Sequence, residues 1–128
     1  MQITKQGGET AIESPDGQYL YYAKRETSPS AIWRVPVSGG EEQPVVDGLS
    51  HPLNFVVAAR GIYFLAVGDR RNRTSLDFYE YATGKRSKLV SVGKPFWWGM
   101  ALTADEKSLL YSVVDNAGSN LMLVDNFR

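Results

Sequence analysis

A short apolar phrase rich in aromatic residues returns three times in this chain at nearly constant spacing. It reads Leu20-Tyr21-Tyr22, then Ile62-Tyr63-Phe64, then Leu109-Leu110-Tyr111, and its last residue recurs after 42 and again after 47 residues. Each copy is followed by a second apolar run, matched as Ile32-Trp33-Arg34-Val35, Phe78-Tyr79-Glu80-Tyr81 and Leu121-Met122-Leu123-Val124. A period of about 40–45 residues is typical of the four-stranded β-propeller blade. The sequence therefore predicts an all-β chain of three such blades, each built of four antiparallel strands.

Period-two alternation and turn residues divide each repeat into short strands. The turn Ser14-Pro15-Asp16-Gly17 joins the first two strands, with proline where a fixed φ is favourable and glycine where a positive φ is needed. The repeats are predicted at about residues 6–48, 49–92 and 93–128 of a single domain. The predicted strands cover residues 9–14, 18–24, 31–37 and 43–46, then 54–58, 61–67, 76–81 and 87–90, then 99–103, 108–113 and 120–124.

The third repeat has no predicted fourth strand, whereas an unmatched strand is predicted at residues 2–5. Closed propellers have about 4–8 blades, so three blades would leave apolar blade surface uncovered. We therefore expect a homodimer that closes a six-bladed propeller, with the N-terminal strand completing the last blade. On this prediction the first partner of the chain is a second copy of itself.

Charge and composition narrow the classes of partner and cofactor. Lys plus Arg and Asp plus Glu both number 14, so the chain lacks the basic excess of proteins that coat nucleic acid, and no nucleic-acid partner is expected. No apolar run approaches the roughly 18 residues of a membrane span, so no membrane contact by this segment is expected. The absence of cysteine excludes disulfides and thiolate metal sites, and neither a metal nor another cofactor is expected.

The first repeat resembles a known family pattern. Residues 14–22, followed by residues 32–35 and Gly39-Gly40, resemble the PD40 repeat, the WD40-like repeat of TolB-type propellers. The second repeat departs from this pattern, with Ala58-Ala59-Arg60-Gly61 where the first has Ser-Pro-Asp-Gly. The third keeps Asp105 but has neither the proline nor the glycine.

The last repeat carries a second resemblance. From Trp98 to Arg128 the sequence looks like the C-terminus of propellers that follow Ser/Thr kinase or winged-helix regulator domains in some bacteria. This resemblance implies a sensor or interaction module, and the kinase or DNA-binding part would lie outside this sequence. The same repeat occurs in the non-catalytic propeller of prolyl-oligopeptidase-like enzymes, but no Gly-x-Ser-x-Gly elbow is present here.

Candidate binding residues gather on the predicted loops. In an up-and-down meander the loops between second and third strands emerge on the same face as the loops that join consecutive repeats, and loops on a rigid scaffold commonly carry binding residues. The basic run 69–73 could bind an anion and the aromatic cluster 95–100 could stack on a ligand, although a solvated loop and packing between blades are the ordinary alternatives. The predicted ligand- or partner-binding residues are His51, Arg70, Arg71, Arg73, Trp97, Trp98, Asp115, Asn116 and Asn120.

Three classes of function follow. The leading hypothesis is a non-catalytic interaction or sensor module that binds a protein, a peptide or a small ligand on its loop face. The alternative is a structural unit whose activity is to assemble into a ring. A hydrolase or lyase is disfavoured because His51 is the only histidine and the predicted inner strands carry no clustered carboxylates, so no catalytic residue is assigned.

Overall fold

The computed structural model describes residues 8–24, 30–67, 74–115 and 118–125, which form β-strands with antiparallel pairing. Among these residues there is no helix long and apolar enough to cross a membrane. The all-β prediction is thus confirmed. In chain order the strands are β1 (Glu9–Glu13), β2 (Tyr19–Lys24), β3 (Ser30–Pro36), β4 (Gln43–Leu49), β5 (Phe55–Val57), β6 (Gly61–Ala66), β7 (Ser75–Glu80), β8 (Arg86–Ser91), β9 (Phe96–Leu102), β10 (Ser108–Asp115) and β11 (Gly118–Asp125).

The strands form three successive meanders, which we call the first (β1–β4), the second (β5–β8) and the third (β9–β11). Within each meander, every strand pairs with the next strand along the chain. The pair Leu49 with Ala66 links the first meander to the second, and the third forms a separate sheet. In the described part of the chain β11 pairs with β10 alone, so it is the outer strand of the third meander. The strand predicted at residues 2–5 lies outside the described residues.

Strand bounds differ from the predicted ones mainly where non-local pairing extends a strand. β4 continues to Leu49 because Leu49 pairs with Ser30 and also reaches Ala66 of the second meander. β9 begins at Phe96 because Phe96 pairs with Val113 beyond an irregularity in the register. Local alternation of side chains carries no information on either contact, so the sequence could not place these ends.

The first and third meanders share one turn, atom for atom, between their first two strands. The Ser14 hydroxyl donates to Asp16 Oδ1 over 2.6 Å, and the Thr103 hydroxyl donates to Asp105 Oδ1 over 2.7 Å. Each aspartate oxygen also accepts a bond of 3.0 Å from the amide two residues later. These bonds hold the pKa of both carboxyl groups below the usual range, with the hydroxyl contact as the largest cause. The turn is therefore a structural repeat as well as a sequence repeat.

One position of this turn needs a left-handed backbone. Gly17 has φ +72°, and Glu106 has φ +59° at the corresponding place in the third meander. Residues with a Cβ are disfavoured there, by about 1–2 kcal/mol. The side-chain bonds of Asp105 thus preserve the turn after the favourable glycine has been replaced.

Strand pairing corrects the match between repeats that the sequence suggested. Ala23 pairs with Ile32, Leu65 with Leu76, and Ser112 with Leu121. Leu76, rather than Phe78, therefore corresponds to Ile32, and the predicted match in the second repeat is wrong by two residues. The error keeps each side chain on the same face because strand side chains alternate with period two.

The meanders pack face to face in chain order, and the second uses opposite faces for its two neighbours. We call the face that packs on the following meander the forward face, and the opposite one the rear face. The forward face of the first meander, with Tyr21, Ala23 and Ile32, packs against Ile62 and Phe64 on the rear face of the second.

The second meander repeats this arrangement with the third. Its forward face carries Tyr63, Leu65 and Leu76, which pack against Leu109 and Tyr111 on the rear face of the third meander. Burying one such side chain contributes about 1.5–3 kcal/mol, so these two cores are the main source of stability and hold the inner strands in fixed positions.

Candidate functional site

The loops that join consecutive meanders lie at the same end of the sheets as the ends of β6 and β10. The amide of Val67, just after β6, donates to Gly48 O over 2.8 Å, and the amide of Val114, near the end of β10, donates to Pro95 O over 2.9 Å. We call this end the loop face, formed in the described chain by residues 50–54 and 92–97. The predicted binding residues were assigned to this end.

A buried asparagine connects the two loops across 43 to 45 residues of sequence. Asn54 is fully buried, and its Nδ2 donates to Ser50 Oγ over 2.8 Å and to Trp97 O over 2.9 Å. Its Oδ1 accepts a bond of 2.8 Å from the amide of Gly99. The side chain therefore joins the start of the second meander to the first residues of β9. Because buried amide groups are costly to leave unpaired, these bonds fix both loops relative to each other.

Two large apolar side chains are exposed on either side of this bridge. Leu53, which precedes Asn54, is 45% exposed, and Trp97, whose carbonyl oxygen accepts from Asn54, is 46% exposed. His51 lies in the same loop, half-buried, and its Nδ1 accepts a bond of 3.1 Å from the Leu53 amide. This bond ties the imidazole to the backbone of its own loop. We call His51, Leu53 and Trp97 the loop-face patch.

Two of the three residues of this patch were predicted from the sequence, whereas the third residue and the asparagine beside it were not. His51 and Trp97 were predicted binding residues, whereas Leu53 and Asn54 were not. The available signal for Asn54 was a polar residue between Leu53 and the apolar strand β5. That signal does not reveal its partners, since Trp97 and Gly99 belong to another meander.

The other predicted residues fall into two groups. Arg70, Arg71, Arg73 and Asn116 lie outside the described residues. Trp98, Asp115 and Asn120 lie on β9, β10 and β11, where the structure describes their backbone positions and not their side chains. Asp115 pairs with Gly118, so the paired ends of β10 and β11 lie at the loop face.

A cleft of about 550 Å³ lies between the outer strands of the first and second meanders. Trp33, Tyr79 and Arg86 contribute to its lining. Arg86 Nε contacts Asp77 Oδ2 at 2.9 Å, and its Nη1 donates to Asp47 O over 2.9 Å. The guanidinium is therefore already engaged by groups of both meanders. Neither His51 nor Trp97, the two predicted binding residues whose side chains the structure describes, lines this cleft.

A buried charge cluster lies on the rear face of the first meander. Lys24 Nζ lies 3.5 Å from Glu42 Oε1 and 3.9 Å from the centroid of the Trp33 ring. The Tyr22 hydroxyl donates to the same Glu42 oxygen, and burial, followed by the effect of Glu42, raises the pKa of Tyr22. The carboxylate and the aromatic face compensate the lysine charge in place of water, so removing either partner would leave a buried charge uncompensated.

The described residues contain no group of three or more His, Cys, Asp or Glu side chains that could hold a metal ion. The loop-face patch itself combines one imidazole, one indole and one aliphatic side chain. Such a set offers apolar contact and hydrogen bonding to a partner, with no nucleophile and base adjacent to each other.

Comparison with known proteins shows the fold and leaves the family open. No family model and no curated protein matches this sequence. The structure is similar to that of TolB from Acinetobacter baumannii, with a TM-score of 0.70 and 15% identity over 94% of this chain and 30% of that one. It is also similar to a chain of the nidogen/laminin complex, with a TM-score of 0.65 and 15% identity over 92% of this chain and 45% of that one.

Both similarities support a β-propeller-type fold. At 15% identity they carry no information on a shared ligand. The chain spans less than half the length of either matched structure.

Proposed function

We propose that this chain is a non-catalytic interaction module of the propeller type that binds a protein or peptide partner at the loop-face patch. The observation that carries the proposal is the pair of exposed side chains Leu53 and Trp97, held in place by the buried side chain of Asn54. Tryptophan is among the residues that most often dominate binding energy at protein interfaces. A rigid presentation of such a residue reduces the entropy that binding must overcome.

The two similar structures support the same class of function. One of them is a chain of the nidogen/laminin complex, so a similar fold occurs in a complex between proteins, which is compatible with an interaction module. The PD40 character of the first repeat and a place behind a kinase or a winged-helix regulator domain are part of this proposal. They rest on the sequence resemblance alone.

The proposal is tested with peptides selected from a random-peptide display library on the immobilised protein. Affinities of the selected peptides are then measured by titration calorimetry for the unchanged protein and for Trp97→Ala and Leu53→Ala. We expect each substitution to weaken binding about tenfold or more, since a buried side chain of this size contributes about 1.5–3 kcal/mol. Trp97→Phe should restore part of the loss.

Met122→Ala is the matched control because Met122 is also a large apolar side chain, 40% exposed, on another strand. It should leave the affinity unchanged. Failure to enrich any peptide, or peptides whose affinity is insensitive to Trp97 and Leu53, would count against the loop-face patch.

Self-assembly is the second candidate function. It is favoured by an independent observation, the exposed leucines of β11, and is argued below. Exchange of the strand predicted at residues 2–5 is a further part of that candidate, and deletion of Met1 to Lys5 should then break the assembly.

A further inference from the structure

The forward face of the third meander is exposed where the equivalent faces are buried. Ile32, Leu76 and Leu121 occupy the same register position in the three meanders. Ile32 and Leu76 are fully buried by the following meander, whereas Leu121 is 68% exposed. Leu123, on the same face, is 57% exposed. The forward face of the third meander therefore presents apolar side chains to solvent where the equivalent faces are covered.

The rear face of the first meander is likewise less buried than the rear faces of the second and third meanders. Leu20 corresponds to Ile62 and Leu109, both of which are fully buried against the preceding meander. Leu20 is half-buried, as are Ala31 and Trp33 on the same face. Tyr22 and Val35 on this face are already buried, and Gly8 lies against the Tyr22 ring. The accessible part of the rear face is therefore the region around Leu20, Ala31 and Trp33.

The two exposed surfaces are a forward face and a rear face, and a forward face packs against a rear face twice within the chain. Forward faces rich in aliphatic and aromatic side chains meet rear faces of the same character in both cores. Closed propellers have about 4–8 blades, so the three described meanders do not by themselves bring these two end faces together. A second copy presents the missing face of each kind.

We propose that the forward face of the third meander docks on the rear face of the first meander of a second copy. Two copies related by a two-fold axis then form two identical contacts, and the ring closes without leaving either face exposed. Formal net charge is zero, so no overall repulsion opposes the association. The inference deepens the second candidate function, self-assembly, and does not rest on partner binding at the loop-face patch.

The first test compares solution mass by light scattering over a range of concentrations. The unchanged protein should show twice the 14.2 kDa of one chain. The double variant Leu121→Lys and Leu123→Lys should raise the dissociation constant about tenfold or more, since it places two charges in an apolar contact. Both side chains are exposed, so circular dichroism should show an unchanged fold.

Leu53→Lys is the matched control, because it makes the same change at a leucine of 45% exposure away from the two end faces. It should leave the dimer intact. A monomer at all concentrations, or equal effects of the control and the double variant, would overturn the proposal.

The second test distinguishes the proposed packing from a symmetric contact of two forward faces. The chain contains no cysteine, so introduced thiols are unique. A mixture of Leu20→Cys and Leu121→Cys proteins, treated with a short bismaleimide, should yield a covalent dimer containing one chain of each kind. A covalent dimer that forms as readily from Leu121→Cys alone would overturn the proposed packing.

Discussion

Replacing Asn54 with alanine should lower the free energy of unfolding by more than the loss of one hydrogen bond would. The substitution removes the bonds from Nδ2 to Ser50 Oγ and Trp97 O and the bond from the Gly99 amide to Oδ1. The Ser50 hydroxyl is half-buried and can turn to water, so its loss is small. The Trp97 carbonyl and the Gly99 amide both lose a partner, each at about 1.5 kcal/mol, which predicts a loss of about 3 kcal/mol in the free energy of unfolding.

Urea unfolding of the unchanged protein, Asn54→Ala and Ser50→Ala measures this loss. Ser50→Ala removes a single one of the three bonds and should cost less than about 1 kcal/mol. Hydrogen exchange of the Gly99 amide gives a local readout, because Asn54 Oδ1 is its acceptor. A cost below about 1 kcal/mol for Asn54→Ala, with unchanged exchange at Gly99, would refute the bridging role of Asn54.

Two further predictions concern the third-meander turn and the tyrosines. Because Glu106 has φ +59°, Glu106→Gly should be more stable than Glu106→Ala by about 1 kcal/mol in urea unfolding; both variants lack the glutamate side chain, and equal stabilities would exclude backbone strain at this position. Burial is the largest cause that raises the pKa of Tyr21, Tyr22, Tyr81 and Tyr111 above the ordinary 10.0. Since the folded state favours their neutral form, their contribution to stability is complete below about pH 10 and is lost as the pH rises above it. A titration of tyrosinate absorbance in the folded protein should show that part of the ionisation occurs well above pH 10, and an ionisation complete near pH 10 would contradict this.

The repeat could be predicted from the sequence because its signals are local. Alternation of apolar residues and the turn at Ser14 to Gly17 depend on neighbours a few positions away, and they located the meander strands to within a few residues. The third repeat is recognisable mainly by its spacing, and its turn keeps Asp105, whose side chain makes the same two bonds as that of Asp16. The positive φ of Glu106 was not predictable, because the bonds of Asp105 and Thr103 outweigh a local preference for glycine.

The candidate site, too, could be predicted only in part from the sequence. His51 and Trp97 could be assigned to the loop face from strand order alone. The role of Asn54 could not, since its partners Trp97 and Gly99 follow it by 43 and 45 residues. Nothing in local spacing identifies which polar side chain will be buried between two meanders.

Leu121 of β11 shows most clearly what could not be predicted from the sequence. The sequence match places Leu121 at the position of Ile32, and strand pairing adds Leu76 as the equivalent residue of the second meander. Leu121 is 68% exposed, whereas Ile32 and Leu76 are fully buried, because another meander covers only the faces that carry Ile32 and Leu76. The sequence determined which side chains point to one face of each sheet, because that depends on the backbone period. Tertiary structure decided which faces are covered, because covering a face requires a second sheet.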